Sequence, residues 1–229
     1  TNCYILGVPG GERVIIDPAA KSVEGLSQLQ QKIDSILSDG STIVATIFTH
    51  RHQDHIGDLA AISQLYQAPI WASVETLQSL PSLETNTILQ DGDIFELDGV
   101  IWKVIETPGH CPGQLSFVSD AGIVSADNVA QVGTILVPSG DGDMTAYIRD
   151  LKRLRDCNPR LLFPGHGPVV TNPQKLLTHY IRHREKRHDA VFAAWESGLR
   201  DIGELSRTAY ADTPDAHPML KLDQTKSHL

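Results

Sequence analysis

The sequence predicts an α/β protein, a sandwich of sheets covered by helices, with its reactive side chains at the carboxyl ends of strands. Three observations lead there. Short apolar runs pair across turn signals both early and late in the chain. Stretches with helical spacing lie between them. The densest polar cluster, His50-Arg51-His52-Gln53-Asp54-His55, stands between the β-branched run Thr42 to Phe48 and an amphipathic stretch from Asp58 to Tyr66. A cluster so placed sits where α/β sheets gather their ligands.

The elements follow in order. Cys3 to Val8 and Arg13 to Ile16 join through Pro9-Gly10-Gly11 as a hairpin. Leu26, Leu29, Ile33, Ile36 and Leu37 repeat as one face of a helix after Asp17-Pro18. A strand to Phe48, a helix from Asp58 and a short strand from Pro69 to Ala72 come next. Ile94 to Leu97 and Val100 to Ile105 flank the turn signal Asp98-Gly99. Leu115 to Val118 and Gly122 to Ser125 form a second hairpin pair, Met144 to Arg155 a helix, and Arg160 to Phe163 a final strand. Asn172-Pro173 opens a long helix, with a cap followed by proline at the first helical position. It runs to Ser197, and helices from Ile202 to Tyr210 and from His217 onward follow it. The expected division is residues 1–172 as a catalytic domain and 173–229 as a helical appendage.

Composition narrows the function classes. The 229 residues carry a net charge of −9, which argues against a protein that coats nucleic acid non-specifically. No apolar run approaches the ~20 residues that span a bilayer, so no membrane role is expected. Cys3, Cys111 and Cys157 have neither metal-type spacing nor the number for a disulfide framework, which favours a reducing, cytoplasmic setting. The chain starts at Thr1 without methionine and stops inside a helical pattern at Leu229, which leaves room for a targeting segment.

Three imidazoles and a carboxylate within six residues suit a hydrolytic metal centre. Three later sites repeat that chemistry beyond strand ends: Thr107-Pro108-Gly109-His110, Ser125-Ala126-Asp127-Asn128 and Phe163-Pro164-Gly165-His166-Gly167-Pro168. Glycine and proline there make tight turns and let a metal or substrate approach the backbone.

His50-x-His52-x-Asp54-His55 with His110, Asp127 and His166 resembles the metallo-β-lactamase-fold superfamily in type, order and approximate spacing. Thr1-Asn2-Cys3-Tyr4, Thr107 to His110, Pro164 to Val169 and Tyr180-Ile181-x-His183-Arg184 resemble its lactamase-like-protein-two group, which includes an endoribonuclease. The resemblance covers nearly the whole chain. It implies a four-layer αββα sandwich with a small winged-helix-like appendage and a two-metal site. His50, His52 and His110 would hold one ion, Asp54, His55 and His166 the other, and Asp127 would bridge them. Asp127 stands where antibiotic-hydrolysing relatives carry cysteine, which places the chain on the glyoxalase II and tRNase Z side. Asp58 replaces the second glycine that many members have after the histidine motif.

The ligand set suits two Zn2+ ions, with iron or manganese possible. Two ions would lower the pKa of a shared water toward ~7, and Asp54 would carry its proton during attack. Asp17 would support a ligand histidine. The expected function is therefore a two-metal hydrolase acting on an ester, thioester or amide, either a small molecule or a carrier-bound acyl group. Endoribonuclease cleavage of single-stranded RNA is the alternative, and a mono-iron sulfur dioxygenase the second. Arg182, Arg184, Lys186 and Arg187 against Glu185 make a basic stretch, so Arg184 and Arg187 are candidate contacts for an anionic substrate such as RNA. His188, His217 and His228 are expected at the surface, and the oligomeric state is not legible.

Overall fold

The computed structural model describes residues 1–81 and 86–229. Its first sheet is ordered β1 (Tyr4–Leu6), β2 (Glu12–Ile16), β3 (Thr42–Ile47), β4 (Ile70–Ala72) and β5 (Asn86–Ile88). β1 and β2 form the antiparallel hairpin and the later strands add in parallel. The second sheet runs β10 (Leu162–His166), β9 (Gly122–Ala130), β8 (Leu115–Ser119), β7 (Val100–Glu106) and β6 (Ile94–Leu97). Its pairings are antiparallel except that of β10 with β9.

Residue alternation on the strands sorts the layers. Val14, Ile16, Ala45 and Ile47 turn inward to meet Trp102, Val104, Leu115, Phe117 and Val124 of the other sheet. Ile15, pointing the opposite way, packs under α1 (Val23–Ser38) and α3 (Leu59–Leu65) with Leu29, Ile33 and Ile62. On the far side, α5 (Met144–Asp156) and α6 (Pro173–Glu196) cover the second sheet through Tyr147, Leu151, Leu154, Leu177, Tyr180 and Ile181. The result is helix, sheet, sheet, helix. A short α2 (Gln53–Ile56) lies within the histidine motif, α4 (Val74–Ser79) precedes β5, and α7 (Ile202–Ala209) and α8 (Pro218–Ser227) follow α6.

Several details differ from expectation. α4 and β5 carry no periodicity long enough to be read in advance. β9 does not stop at Ser125 but continues to Ala130, and β10 continues to His166. The two strands keep pairing because the register shifts at Pro164, where Ala126 adopts a left-handed φ of 45°. Asp127 therefore sits inside a strand, on a bulge, rather than beyond its end. Asp58, in the place of the usual glycine, caps α3 by accepting from the Ala61 N–H at 3.0 Å. The expected boundary at 172/173 falls in front of a helix whose first half belongs to the sandwich core and whose second half carries α7. His228 is buried rather than superficial, its ring 5.7 Å from that of His188.

α5 presses on the turn before His110. A side chain at Gly109 would lie 2.2 Å from the Tyr147 Cα, so only glycine fits. Asp150, 1 % exposed, accepts the Gly109 N–H at 2.8 Å. Burial raises its carboxyl to a pKa of about 6, although the Gly109 N–H and Arg149 oppose the shift. A raised folded-state pKa contributes stability that is complete below the ordinary 3.8 and lost as pH rises through about 6. Asp150→Asn retains an acceptor without the charge. Relative to the parent it should gain roughly 2–3 kcal/mol between pH 4 and pH 7.5 in urea denaturation. A difference independent of pH would show that the carboxylate carries no such penalty.

Candidate metal centre

Three strand ends and one bulge bring all seven sequence-predicted side chains to one edge of the sandwich. β3 delivers the turn of His50 and His52, and α2 then presents Asp54 and His55. Thr49 links the sheets here, since its carbonyl accepts the Leu115 N–H at 2.8 Å. His110 follows β7, Asp127 lies on β9 and His166 ends β10.

The donor atoms fall into two groups. His52 Nδ1 stands 3.1 Å from His50 Nε2 and 3.0 Å from His110 Nε2. His166 Nε2 is 3.1 Å from Asp54 Oδ2, and His55 Nε2 is 3.7 Å from the same oxygen. Asp127 faces both groups: its Oδ1 is 3.4 Å from His55 Nε2, while Oδ2 is 3.6 Å from His110 Nε2 and 3.4 Å from His166 Nε2.

The far nitrogens explain why these contacts are not ordinary hydrogen bonds. Thr49 donates its hydroxyl to Asp17 Oδ2 at 2.6 Å, so His50 Nδ1, 2.9 Å from that hydroxyl, must itself donate. His55 Nδ1 donates to Asp17 Oδ2 at 2.8 Å. His110 Nδ1 donates to the Leu136 carbonyl at 2.8 Å, and His52 Nε2 to Asp141 Oδ2 at 2.9 Å. With one nitrogen of each ring so committed, the other turns a lone pair inward. Lone pairs that meet at about 3 Å repel unless a cation lies among them. His55 Nε2 and Asp127 Oδ1 are also buried without a hydrogen-bond partner. The residues fit a pair of metal ions.

Electrostatics agrees. Burial, helped by the neighbouring imidazoles, pushes the His50 pKa well below its usual value, and burial lowers that of His110. Burial alone would lower His55 too, but Asp127 and Asp17 outweigh it and lift its pKa to about 10. The position demands positive charge, which a proton or a metal ion satisfies. Asp127 is held far below the ordinary carboxylate range by His166 and His55 in spite of burial.

Sequence reasoning missed several supports. Asp141, from the loop before α5, holds His52 and pairs with Arg51. The hint was Arg51 itself, a cation between two ligand histidines that needs a partner. Gln114 Oε1 accepts the Asp127 N–H at 3.3 Å. Asn2 donates to the Pro164 carbonyl at 2.9 Å and the Gly167 carbonyl at 2.7 Å, tying down the His166 turn. Arg184 and Arg187 are not brought to the centre. They are 2 % and 4 % exposed, and their guanidiniums bond to Gln224 and Ile135 and to Ala209 and Asp212. Their guanidiniums lie over the Tyr147 and Tyr210 rings beneath α7 and α8, off the exposed face of α6.

A family model described as the metallo-beta-lactamase superfamily matches residues 1–166. An Aspergillus fumigatus protein named atrochrysone carboxyl ACP thioesterase is 26 % identical over 215 residues, which cover 91 % of this chain and 65 % of that protein. The chain therefore spans just under two thirds of that relative. A Caenorhabditis elegans beta-lactamase-like protein 2 homolog is 27 % identical over 234 residues, 99 % of this chain and 76 % of its own. Among solved structures, a metallo-beta-lactamase family protein from Thermus thermophilus superposes with a TM-score of 0.75 at 19 % identity, covering 100 % of this chain and 86 % of that one. That likeness concerns the fold.

Gly165 tests how tightly the centre is built. A Cβ there would lie 2.2 Å from Asp127 Oδ1 and 2.8 Å from His55 Cε1. Gly165→Ala should keep the fold by circular dichroism yet weaken zinc affinity about 10–100-fold, the range for disturbed ligand support. Unchanged affinity in chelator competition would mean that Asp127 is not fixed by this contact.

Proposed function

The chain belongs to the metallo-beta-lactamase superfamily of metal-dependent hydrolases, and from that premise we propose that it hydrolyses an acyl bond, foremost a thioester presented on a carrier. The observation that carries the proposal is the set of four imidazoles whose outer nitrogens are all committed as donors, turning four lone pairs into one space. Under this reading His50, His52 and His110 hold one ion, Asp54, His55 and His166 the other, and Asp127 both. Two bound zinc, iron or manganese ions would polarise the acyl carbonyl and supply hydroxide at neutral pH.

The chain's own groups do the rest. Asp54 is the exposed carboxylate of the set, and the Thr1 hydroxyl donates to its Oδ2 at 3.0 Å. Burial disfavours its ionisation, but His55 and Thr1 outweigh that and hold its pKa low. Its Oδ2 receives the proton of the attacking water and returns it to the leaving thiolate or alkoxide. His166, partly exposed, shares the open side where a substrate enters. Asp17, Asp141 and the Leu136 carbonyl keep the rings oriented as charge moves.

Support for an acyl substrate comes from the relative named a carboxyl ACP thioesterase. The RNA reading rests on the lactamase-like-protein-two resemblance and on the basic stretch of α6, and the Arg184 and Arg187 of that stretch are interior. Among the described residues no helix is long and apolar enough to cross a membrane.

Protein purified without chelator should contain close to two transition-metal ions per chain and turn over acyl thioesters in a panel with esters, lactones and RNA. RNA cleavage without thioester turnover would overturn the substrate assignment. One iron with dioxygen consumption would overturn the hydrolytic one. At saturating metal, Asp54→Asn should lower turnover by at least ~10² while substrate binding is less affected. Near-parental turnover would remove Asp54 from proton transfer.

A further inference from the structure

Away from the metal centre, a cavity of about 240 Å3 lies between α6, α8 and the segment Thr134–Leu136. His183, Arg184, Arg187, His217 and Lys221 line it, and no acidic side chain does. Arg187 has an anionic partner, Asp212, at 2.9 Å. Arg184 differs. It is 2 % exposed, and its guanidinium bonds only to neutral groups, the Gln224 side-chain oxygen at 3.0 Å and the Ile135 carbonyl. No carboxylate among the described residues pairs with it. The Nε atoms of both arginines and Nδ1 of His183 are buried without partners. Burial and the two guanidiniums also push the His183 pKa down to about 4, a measure of how positive the surroundings are.

Keeping a guanidinium from water without a counter-ion is costly, and the Tyr147 ring 5.4 Å away offsets only part of that cost. A destabilising arrangement of this kind has a reason when an anion completes the charge. Planar guanidiniums, an ammonium and imidazoles lining one cavity suit a tetrahedral oxyanion, which has acceptors on every side. The cavity also exceeds the needs of one such group, leaving space for the organic part of an ester.

We propose that this cavity is a binding site for a phosphate group, contributed by free phosphate or by a phosphate ester such as a phosphopantetheine arm. The site stands independently of the reaction at the metal centre, yet it touches it. Arg184 holds the Ile135 carbonyl, and the next carbonyl, that of Leu136, orients His110.

The test is calorimetric titration of the metal-loaded protein with inorganic phosphate and with 4′-phosphopantetheine. Phosphate also ligates metals, so each titration is repeated on His166→Ala, which disturbs the metal centre through a side chain that touches no residue of the cavity. The expected result is one saturable site that survives His166→Ala, weakens at least 10-fold in Lys221→Gln and disappears in Arg184→Met. Lys221 is partly exposed, so its variant remains informative if Arg184→Met fails to fold. Phosphopantetheine bound at least 10-fold tighter than phosphate identifies a carrier arm as the source, and equal affinities identify free phosphate. Absence of saturable binding, loss of binding in His166→Ala, or affinity unchanged by Lys221→Gln would each overturn the proposal.

Discussion

The Asp17 carboxylate is the interaction on which the rest of the centre depends. It accepts the Thr49 N–H at 2.8 Å, the Thr49 hydroxyl at 2.6 Å and His55 Nδ1 at 2.8 Å, and through Thr49 it also fixes His50. One buried group thereby decides the tautomer of two histidines of the cluster. It stands at a left-handed φ of 48°, the backbone cost of turning sharply out of β2, and its own N–H is satisfied by the Ile47 carbonyl. Three donors converge on this one carboxylate, so both of its buried oxygens are satisfied by the groups they position. Remove that charge and both rings are free to flip, turning an N–H where the lone pair should be.

Much of the fold was legible because alternation and helical spacing are strong where one face is buried. β2, β7 and α5 present their apolar residues at the period their layer demands. α4 and β5 were not legible, being too short for periodicity to rise above chance. The ends of β9 and β10 were misjudged for a different reason. Proline and glycine ordinarily stop a strand, but here the bulge at Ala126 absorbs the irregularity of Pro164-Gly165 and the pairing continues. Such compensation lies between strands, and no single segment announces it.

The site divides in the same way. The clustered side chains are recognisable by residue type, since few other environments gather so many imidazoles. Their supports are common residues in ordinary places: Asp141 in a loop, Gln114 behind Asp127, Asn2 against the His166 turn. Arg184 and Arg187 show the opposite error. A run of cations on a long helix suggests a wet face, yet half of this run points inward because α7 and α8 fold back over it. Charge alone does not reveal which side of a helix a later segment will cover.

The parallel pairing of β10 with β9 governs the order in which the centre comes into being. The donors His50, His52 and His110 have all been made once the chain extends as far as β7 and its turn, although the Leu136 carbonyl and Asp141 that orient two of these rings come later. Asp54 and His55 wait for His166, which arrives only after α5 has crossed the second sheet and β10 has docked beside β9. Such distant parallel pairings form slowly, since a long loop must close before any contact rewards it. As the chain emerges from the ribosome, the two halves of the centre therefore ripen at different times. In chain order, the donors of the imidazole half are all made before His166 completes the other half.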